Sequence, residues 1–535
     1  MDKVKGYWCL VLHAHLPYIR HPEYDTFLEE DWLYEALTET YIPILEFSER
    51  LAEEKINFRY TVNLSPTLCS MMKDQLLQSR YLRHLNKLIE LIEKEVHRTR
   101  AIPQFFAAAQ MYEKKLKKCR DIFEKYHGNI LTGFKNLQDA GFIEIITCCA
   151  THGFLPLMID KRAQAAQIKV GVHSYEESFG RKPKGIWLAE CAYTKGVDEL
   201  LRNEGLRYFF LDAHGILFGN PRPRYGVFAP IITPKGVAAF GRDMETAHQV
   251  WSAEQGYPGD YRYREFYRDL GYDLEYEYVR PYLHPDGVRR NIGLKYHRIT
   301  GKTSLQHKEP YNPDWATQAA GENAGNFVFN REHQISHLNG ILQREPIVVS
   351  MYDAELFGHW WYEGPQFLEF IFKKIHYDQK TFSCITPSEY LEKFSHNQMV
   401  EPCDSSWGDK GYYEVWLNGS NDWIYRHLHK ITEKMIHLAE KHPNIKNGVE
   451  RRSLNQMARE VLLAQSSDWG FLMTAGTATQ YSKKRTQDHI HRFLTLEHEF
   501  LSKTINENFL HECETKDNIF PNLNYTVFGN HKGGR

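Results

Sequence analysis

Glu190, in GIWLAECAY, and Asp353, in VVSMYDAELFGHWWYEG, each follow a short apolar run and are framed by aromatic residues. An acid at the end of an apolar strand, beside Trp187 and Tyr193, can be aimed at a shared cleft and kept ionised by neighbouring donors, which is what a nucleophile needs. The plainer alternative for Glu190 is an acid at a helix start. Around Asp353 the aromatic surface is large enough to raise a carboxyl pKa, the condition for a general acid near neutral pH. Glu355 and Glu363 compete for that role, or are ordinary surface acids. Two carboxylates brought together from different strands are the equipment for cleaving a glycosidic bond. Carboxyl groups about 5–5.5 Å apart give retention through a covalent glycosyl-enzyme, and about 6.5–9.5 Å leaves room for a water and inversion. That gap is a property of the fold, not of spacing along the chain.

His13 and His15 stand two residues apart after the apolar run 6–12, so in a strand both imidazoles face one side. Such a pair binds a metal ion, or donates hydrogen bonds to sugar hydroxyls or a neighbouring carboxylate. Two histidines merely satisfied at a barrel rim are the plainest reading. With His152 and His214 after other apolar runs, a metal-dependent hydrolase or deacetylase, in which zinc activates water, is a competing reading. A non-catalytic glucan-binding protein with an aromatic cleft is a third, and the intact Glu190 and Asp353 argue against it.

These groups need elements to position them. Apolar runs at 142–146, 185–188, 208–211 and 347–351 lead to Thr151 and His152, to Glu190, to Asp212 and His214, and to Asp353. Amphipathic Lys/Glu-rich stretches such as 72–98 and 104–126 lie between such runs and read as helices. Apolar strands alternating with helices predict a buried parallel sheet. In a barrel of that kind reactive groups sit just past the carboxyl ends of the strands, where all these polar clusters fall. Residues 215–310, punctuated by Pro and Gly, keep no period and read as an inserted subdomain over the barrel mouth. Further on, Ile424, Leu428, Ile431, Met435 and Leu438 recur at helical spacing and 484–506 is another candidate helix, so a helical C-terminal domain is expected. The stretch 518–535 lacks helical signals and is expected to be partly loose.

The 535 residues hold 66 Lys plus Arg against 68 Asp plus Glu, a balance that favours neither nucleic acid nor an anionic membrane and suits a neutral partner. Two or three packed units are expected at this length. Aromatic residues make up 14% of the chain, enough to stack on sugar faces as well as to fill a large core. The 9 cysteines lack paired spacing, and Cys148 and Cys149 are adjacent, which points to a reducing compartment. The opening apolar run, about six residues without a small-residue cleavage site, reads as a first strand rather than a signal peptide. No apolar run reaches the roughly 18 residues of a membrane span.

HAHLPY at 13–18, THGFLPL at 151–157, GIWLAECAY at 185–193, SMYDAELFGHWWYEGP at 350–365 and AREVLLAQSSDWGF at 458–471 resemble, in order, the five motifs of glycoside hydrolase family 57. The likeness spans essentially the full length and points to the family's 1,4-α-glucan branching enzymes and amylase-like proteins. It implies an α/β fold: an incomplete (β/α)7 barrel with an inserted helical subdomain and an all-α C-terminal domain contributing to the cleft. The boundaries expected are 1–214 and 311–400 for the barrel, 215–310 for the insert with an active-site loop, and 401–535 for the helical domain.

The resemblance further implies Glu190 as nucleophile and Asp353 as general acid/base of a retaining double displacement. His13, His15 and His152 would line the sugar subsite beside the cleavage point, Asp468 would reach the same cleft, and Trp360, Trp407 and Trp416 would stack on glucan. The family needs no metal and no other cofactor, which turns His13 and His15 from ligands into hydrogen-bond donors. The implied activity is transfer of an α-1,4-linked chain to a 6-hydroxyl, with α-amylase-type hydrolysis as the alternative. The implied partner is amylose, glycogen or maltooligosaccharide, with no nucleic acid or membrane, and the protein would be cytoplasmic, a monomer or small homo-oligomer. The chain departs from the family pattern at Ala189, where many branching enzymes have proline. For the loop tyrosine that favours transfer over hydrolysis, Tyr225 is the nearest candidate; Tyr272 stands where relatives carry tryptophan, with a comparable aromatic role.

Overall fold

The computed structural model describes residues 4–252 and 255–529. One sheet contains β1 (Gly6–Ala14), β2 (Tyr60–Leu64), β3 (Ile143–Cys148), β4 (Gly185–Trp187), β5 (Tyr208–Leu211), β6 (Ile231–Ile232), β7 (Ala238–Gly241), β8 (Ile347–Asp353) and β9 (Phe382–Cys384). Their order is β6-β7-β5-β4-β3-β2-β1-β8, with β9 also paired to β1. β7, β5, β4, β3, β2, β1 and β8 run parallel, which is the incomplete (β/α)7 barrel expected. Its two ends approach where Asp243, just past β7, donates its backbone N–H to Val349 O of β8 at 2.9 Å.

Every residue of β1 is buried, because helices cover one face while the other fills the barrel; the apolar runs are therefore continuous rather than alternating. Trp8 Nε1 donates to Ser350 Oγ at 2.8 Å and ties β1 to β8. Helices Gln75–Thr99 and Pro103–Lys125 fall on the two amphipathic stretches. In helix Lys161–Phe179, Gly171 lies so close to Cys148 O that a Cβ has no room, which lets this helix rest directly on β3.

Two expectations need correction. β6 and β7 fall within 215–310, and β7 is a full member of the sheet, so the insert begins only after it. Among the described residues beyond Trp251 the insert has only short helical turns: Tyr257–Gly259, Leu270–Asp273, Tyr276–Val279, Arg280–Tyr282 and Leu305–His307. Side chains, not helices, fasten it. Arg264 Nη1 donates to Glu39 Oε1 at 3.0 Å, and His359 Nδ1 lies 2.8 Å from Glu39 Oε2. Arg264 N–H and Tyr311 OH donate to Glu363 Oε1 at 3.1 and 2.7 Å, so Glu363 is a buried structural acceptor. The second correction concerns the tail. Ile519, Phe520, Leu523, Tyr525 and Phe528 are buried, with a turn of 3-10 helix at Tyr525–Phe528; the last stretch of this tail, 530–535, lies outside the described residues.

The C-terminal part is helical, with Trp423–Lys441, Val449–Ala464, Ser467–Ala475, Thr479–Ser502 and Glu507–Lys516. It meets the barrel mouth through two antiparallel bridges, Gly153 opposite Ser466 and Tyr193 opposite Ser405, and Phe154 stacks on Trp416 at 4.5 Å beside them. Among the described residues no helix is long and apolar enough to cross a membrane.

Candidate active site

Strand register brings the first groups together. His13 of β1 lies opposite Asn63 of β2 on one side and Asp353 of β8 on the other, so an amide, an imidazole and an acid share one layer at the carboxyl end of the sheet. The loop after β3 adds His152 at φ 59, and that after β4 adds Glu190 at φ 61 and Cys191 at φ 49. Left-handed backbone at non-glycine residues costs on the order of 1–3 kcal/mol each and persists where packing over-determines it, typically at functional sites. Here it turns Glu190 into contact with the C-terminal part.

Two donors from that part fix Glu190. Trp407 Nε1 donates to Oε2 and Ser467 Oγ to Oε1, each at 2.9 Å. Trp407 N–H also donates to the Glu190 carbonyl at 2.9 Å. Burial pushes Glu190 up to about 7; the charge of Asp468 adds to the rise, while Trp407, Ser467 and His15 oppose it. Asp353 accepts no hydrogen bond from the described residues. Burial, then the charges of Glu355 and Glu190, push it well above the carboxylate range, against the pull of Arg242. The two acids thus act on each other at one mouth, and the unbonded one holds its proton. Glu355 is taken: Tyr41 OH donates to it, and so does His15 N–H at 3.2 Å.

The histidines are fully engaged within the protein. His13 Nδ1 lies 2.6 Å from Asn63 Oδ1, and His13 Nε2 lies 3.0 Å from His152 Nε2. His152 Nδ1 is 2.8 Å from Ser467 Oγ. His15 Nδ1 is 2.9 Å from Ser65 Oγ, and its Nε2 is 3.0 Å from Asp468 Oδ2. The rings stack, His15 on His152 with centroids 3.7 Å apart and His13 on Trp187 at 4.6 Å. With every ring nitrogen bonded internally, the expected role as direct donors to sugar gives way to one of holding Asp468, Ser467 and, through Ser467, Glu190. Burial works against an ionised Asp468, but the charge and hydrogen bond of His15, with His152 and Ser466, hold it at about 2. Ligand atoms of His15, His152 and Asp468 lie within 4.8 Å of one another, a grouping that could hold a metal ion. His214 is not part of it, since its Nε2 shares a hydrogen bond of 2.7 Å with Gly411 O.

The aromatic candidates separate. Trp360 is 56% exposed and stacks on Phe266 at 4.6 Å, leaving a face open. Trp407 spends its indole N–H on Glu190, with Trp251 edge-on at 6.3 Å. Trp416 is core, buried against Phe154, and cannot stack on glucan. Tyr225 lies against Arg344, at the other end of the sheet from Glu190. The physical reason is that its segment runs back to the start of β8, where Ile347 N–H donates to Phe228 O at 3.0 Å. Tyr272 is exposed and its hydroxyl donates within the insert, to Arg289 O at 3.2 Å.

Sequence reasoning passed over Asn63, Arg242, Trp251 and Ser467. Arg242, just past β7, donates to Asp212 Oδ2 at 2.6 Å, and its guanidinium lies 5.9 Å from the Trp407 ring. Asn63 and Arg242 are polar residues at strand ends and carried that signal. Ser467 carried none, because it reaches the cleft from a helix far along the chain.

Known proteins can be set beside this geometry. The family model for glycosyl hydrolase family 57 matches residues 9–339, and one for the C-terminal region of 1,4-alpha-glucan branching enzyme matches residues 427–528. The 1,4-alpha-glucan branching enzyme TK1436 of Thermococcus kodakarensis is 33% identical over 97% of this chain and 78% of its own. Its crystal structure, in complex with glucose and additives, superposes with a TM-score of 0.89 over 99% of this chain and 98% of that one, at 32% identity. The structure of the alpha-amylase AmyC of Thermotoga maritima is 47% identical, with a TM-score of 0.93 over 98% of this chain and 99% of that one. A branching enzyme from Pyrococcus horikoshii is 33% identical, with a TM-score of 0.87 over 99% and 98%.

Proposed function

The chain belongs to glycosyl hydrolase family 57, and on that premise we propose that it is a retaining 1,4-α-glucan branching enzyme. Glu190 attacks the anomeric carbon of an α-1,4-glucan while Asp353 protonates the departing oxygen, which leaves the chain esterified to Glu190. Asp353, now ionised, takes the proton of an acceptor's 6-hydroxyl. That oxygen displaces Glu190, and an α-1,6 branch forms with net retention. The observation that carries the reading is the contrast between the acids: Asp353 unbonded and pushed far up, Glu190 held by Trp407 and Ser467. Arg242 faces Asp353 and offsets the charge it acquires between the two steps. Exposed Trp251 and Trp360 offer flat faces on which a sugar displaces water, which favours a glucan acceptor.

Hydrolysis is the second reading, favoured by the 47% identity to a protein described as an α-amylase and by the position of Tyr225 away from the acids. It uses the same ester, resolved by water. The partner in both cases is an α-glucan. All the cysteines are free, which supports a reducing, cytoplasmic setting, and the protein is taken as a monomer or small homo-oligomer. Incubation with amylose, followed by counts of new α-1,6 linkages and of new reducing ends, separates the two. Branches in excess of ends are expected; ends without branches would leave only the hydrolase.

A further inference from the structure

A cavity lies between the insert and the helices that cover the barrel. Residues of helices Asp31–Ala36, Gln75–Thr99 and Pro103–Lys125 line it, together with 282–294 of the insert. None of the residues placed at the active site is among them. Several of its polar groups have no partner in the chain. Both ring nitrogens of His284 are buried without a hydrogen bond among the described residues. Asp286 Oδ2 is 3.8 Å from Nδ1 and is itself held by Arg290 at 2.7 Å. A buried imidazole left open on both sides calls for a ligand or a water. Asp31 accepts no hydrogen bond from the described residues. Glu35 has His359 Nδ1 at 3.9 Å, but that nitrogen is closer to Glu39, at 2.8 Å. Lys115 Nζ rests 3.7 Å over the Tyr362 ring and has no carboxylate within ion-pair reach among the described residues.

The chemistry of these groups selects an uncharged ligand rich in hydroxyls. Glu30, Asp31, Glu35 and Glu39 nearly balance Arg80, Arg83, Lys87, Lys115 and Arg290. Two of the guanidiniums are already neutralised, Arg80 by Glu30 at 2.7 Å and Arg290 by Asp286 at 2.6 Å, so little field of either sign remains to hold an ion. Burial pushes Asp31 up to about 7, with Glu35 and Glu30 adding to the rise; burial also raises Glu35 and pulls Lys115 down. Carboxyl groups in that state both donate and accept, as sugar hydroxyls do. Asp31 and Glu35 stand one turn apart on the same helix face. The rings of Tyr34 and Tyr112 supply apolar wall, because their hydroxyls are engaged with Glu30 at 2.9 Å and Arg264 at 3.2 Å. Through Glu35 and His359 the cavity adjoins Trp360, whose open face is offered to glucan.

We propose that this cavity is a second, non-catalytic α-glucan site, in which Asp31, Glu35, Lys115 and His284 hold a short stretch of chain away from Glu190 and Asp353. It rests on the α-glucan reading above and adds to it a preference for long chains: amylose is held at two places, a short donor at one.

Two measurements test the site. The first is acetylation of Lys115, followed by mass spectrometry on Glu190→Gln protein, with and without maltotriose. Maltotriose should protect Lys115; no protection, or protection by inorganic phosphate instead, overturns the site. The second compares wild type with Asp31→Leu plus His284→Leu. Neither residue has a hydrogen-bond partner to strand, so the double variant should melt no lower than wild type. Its kcat/KM on amylose should fall about tenfold through KM, with less than about a twofold change on α-maltosyl fluoride. An equal fall on both donors, or a fall in kcat alone, overturns the site. Should the double variant not fold, the protection of Lys115 decides. The α-glucan reading fails separately, when wild type leaves amylose unchanged; amylose turned over while Lys115 stays unprotected sinks the second site alone.

Discussion

The carboxyl of Asp353, at the end of β8, accepts no hydrogen bond from the described residues, and its raised pKa reverses the usual carboxylate linkage. The folded chain binds more protons than the unfolded one between the unfolded and folded pKa values, so this residue lowers stability as pH rises through that window. Asp353→Asn removes that cost together with the general acid. Turnover of amylose should be lost while the melting temperature rises, on the order of 1–2 °C; unchanged or lower stability with full activity would sink the role. An α-glycosyl fluoride, whose leaving group needs no proton, should still esterify Glu190 in this variant. For the wild type, kcat/KM should fall at high pH as Asp353 loses its proton. Trp407→Phe keeps the ring and removes one of two donors to Glu190. A charge-assisted hydrogen bond is worth about 1.5–3 kcal/mol, so kcat/KM should drop roughly 10–100-fold with the acid limb moved up; a pure KM effect would mean that the indole serves only as a sugar platform.

Fastening of the insert is an element-scale property, because Glu39 comes from an early helix, Arg264 from the insert and His359 from the loop after β8. Removing one partner of a buried pair leaves the other charge stranded, at about 3–5 kcal/mol, whereas replacing both by neutral groups recovers much of it. Arg264→Met should lower the melting temperature and expose 255–310 to protease, and Arg264→Met with Glu39→Gln should restore most of the loss; no recovery in the double variant would show that the contact acts through something other than charge. Legibility also divides by element. β1, β4 and β5 were readable because both faces are buried and the runs are continuously apolar, and β3 and β8 because Glu144 and Ser350 interrupt theirs only once before the polar strand end. β2 was not, since Thr61 and Asn63 are polar yet fully buried toward the barrel interior, and neither was β7, four residues among Pro and Gly. Glu190 and Asp353 were readable as strand-end acids. The partners of the histidines were not: Ser467 stands 315 residues from His152 and is brought to it only by tertiary packing.

At the scale of the whole molecule, the barrel and the C-terminal part are one site divided between two stretches of chain. The barrel supplies Glu190 and Asp353, and the C-terminal part supplies both donors to Glu190. Those donors sit where the backbones themselves join: Ser467 N–H donates to His152 O and Trp407 N–H to Glu190 O, each at 2.9 Å. Around them the contact continues through Gln167 to Gln465 at 3.1 Å, His429 to Leu157 O at 2.9 Å and Arg162 to Glu440 at 2.7 Å. Because the left-handed backbone at His152 and Glu190 is held by these same bonds, the barrel mouth has no reason to keep its shape once the C-terminal part comes away. Unfolding should therefore be one transition, with loss of activity coincident with loss of C-terminal helix. Calorimetry or helix-detected melting that shows the C-terminal part unfolding first, with activity on an α-glycosyl fluoride surviving that step, would mean that Glu190 is held by the barrel alone. A chain ending at residue 400 should be inactive on the same donor, because it lacks Trp407 and Ser467 and with them the two hydrogen bonds that favour the ionised form of Glu190.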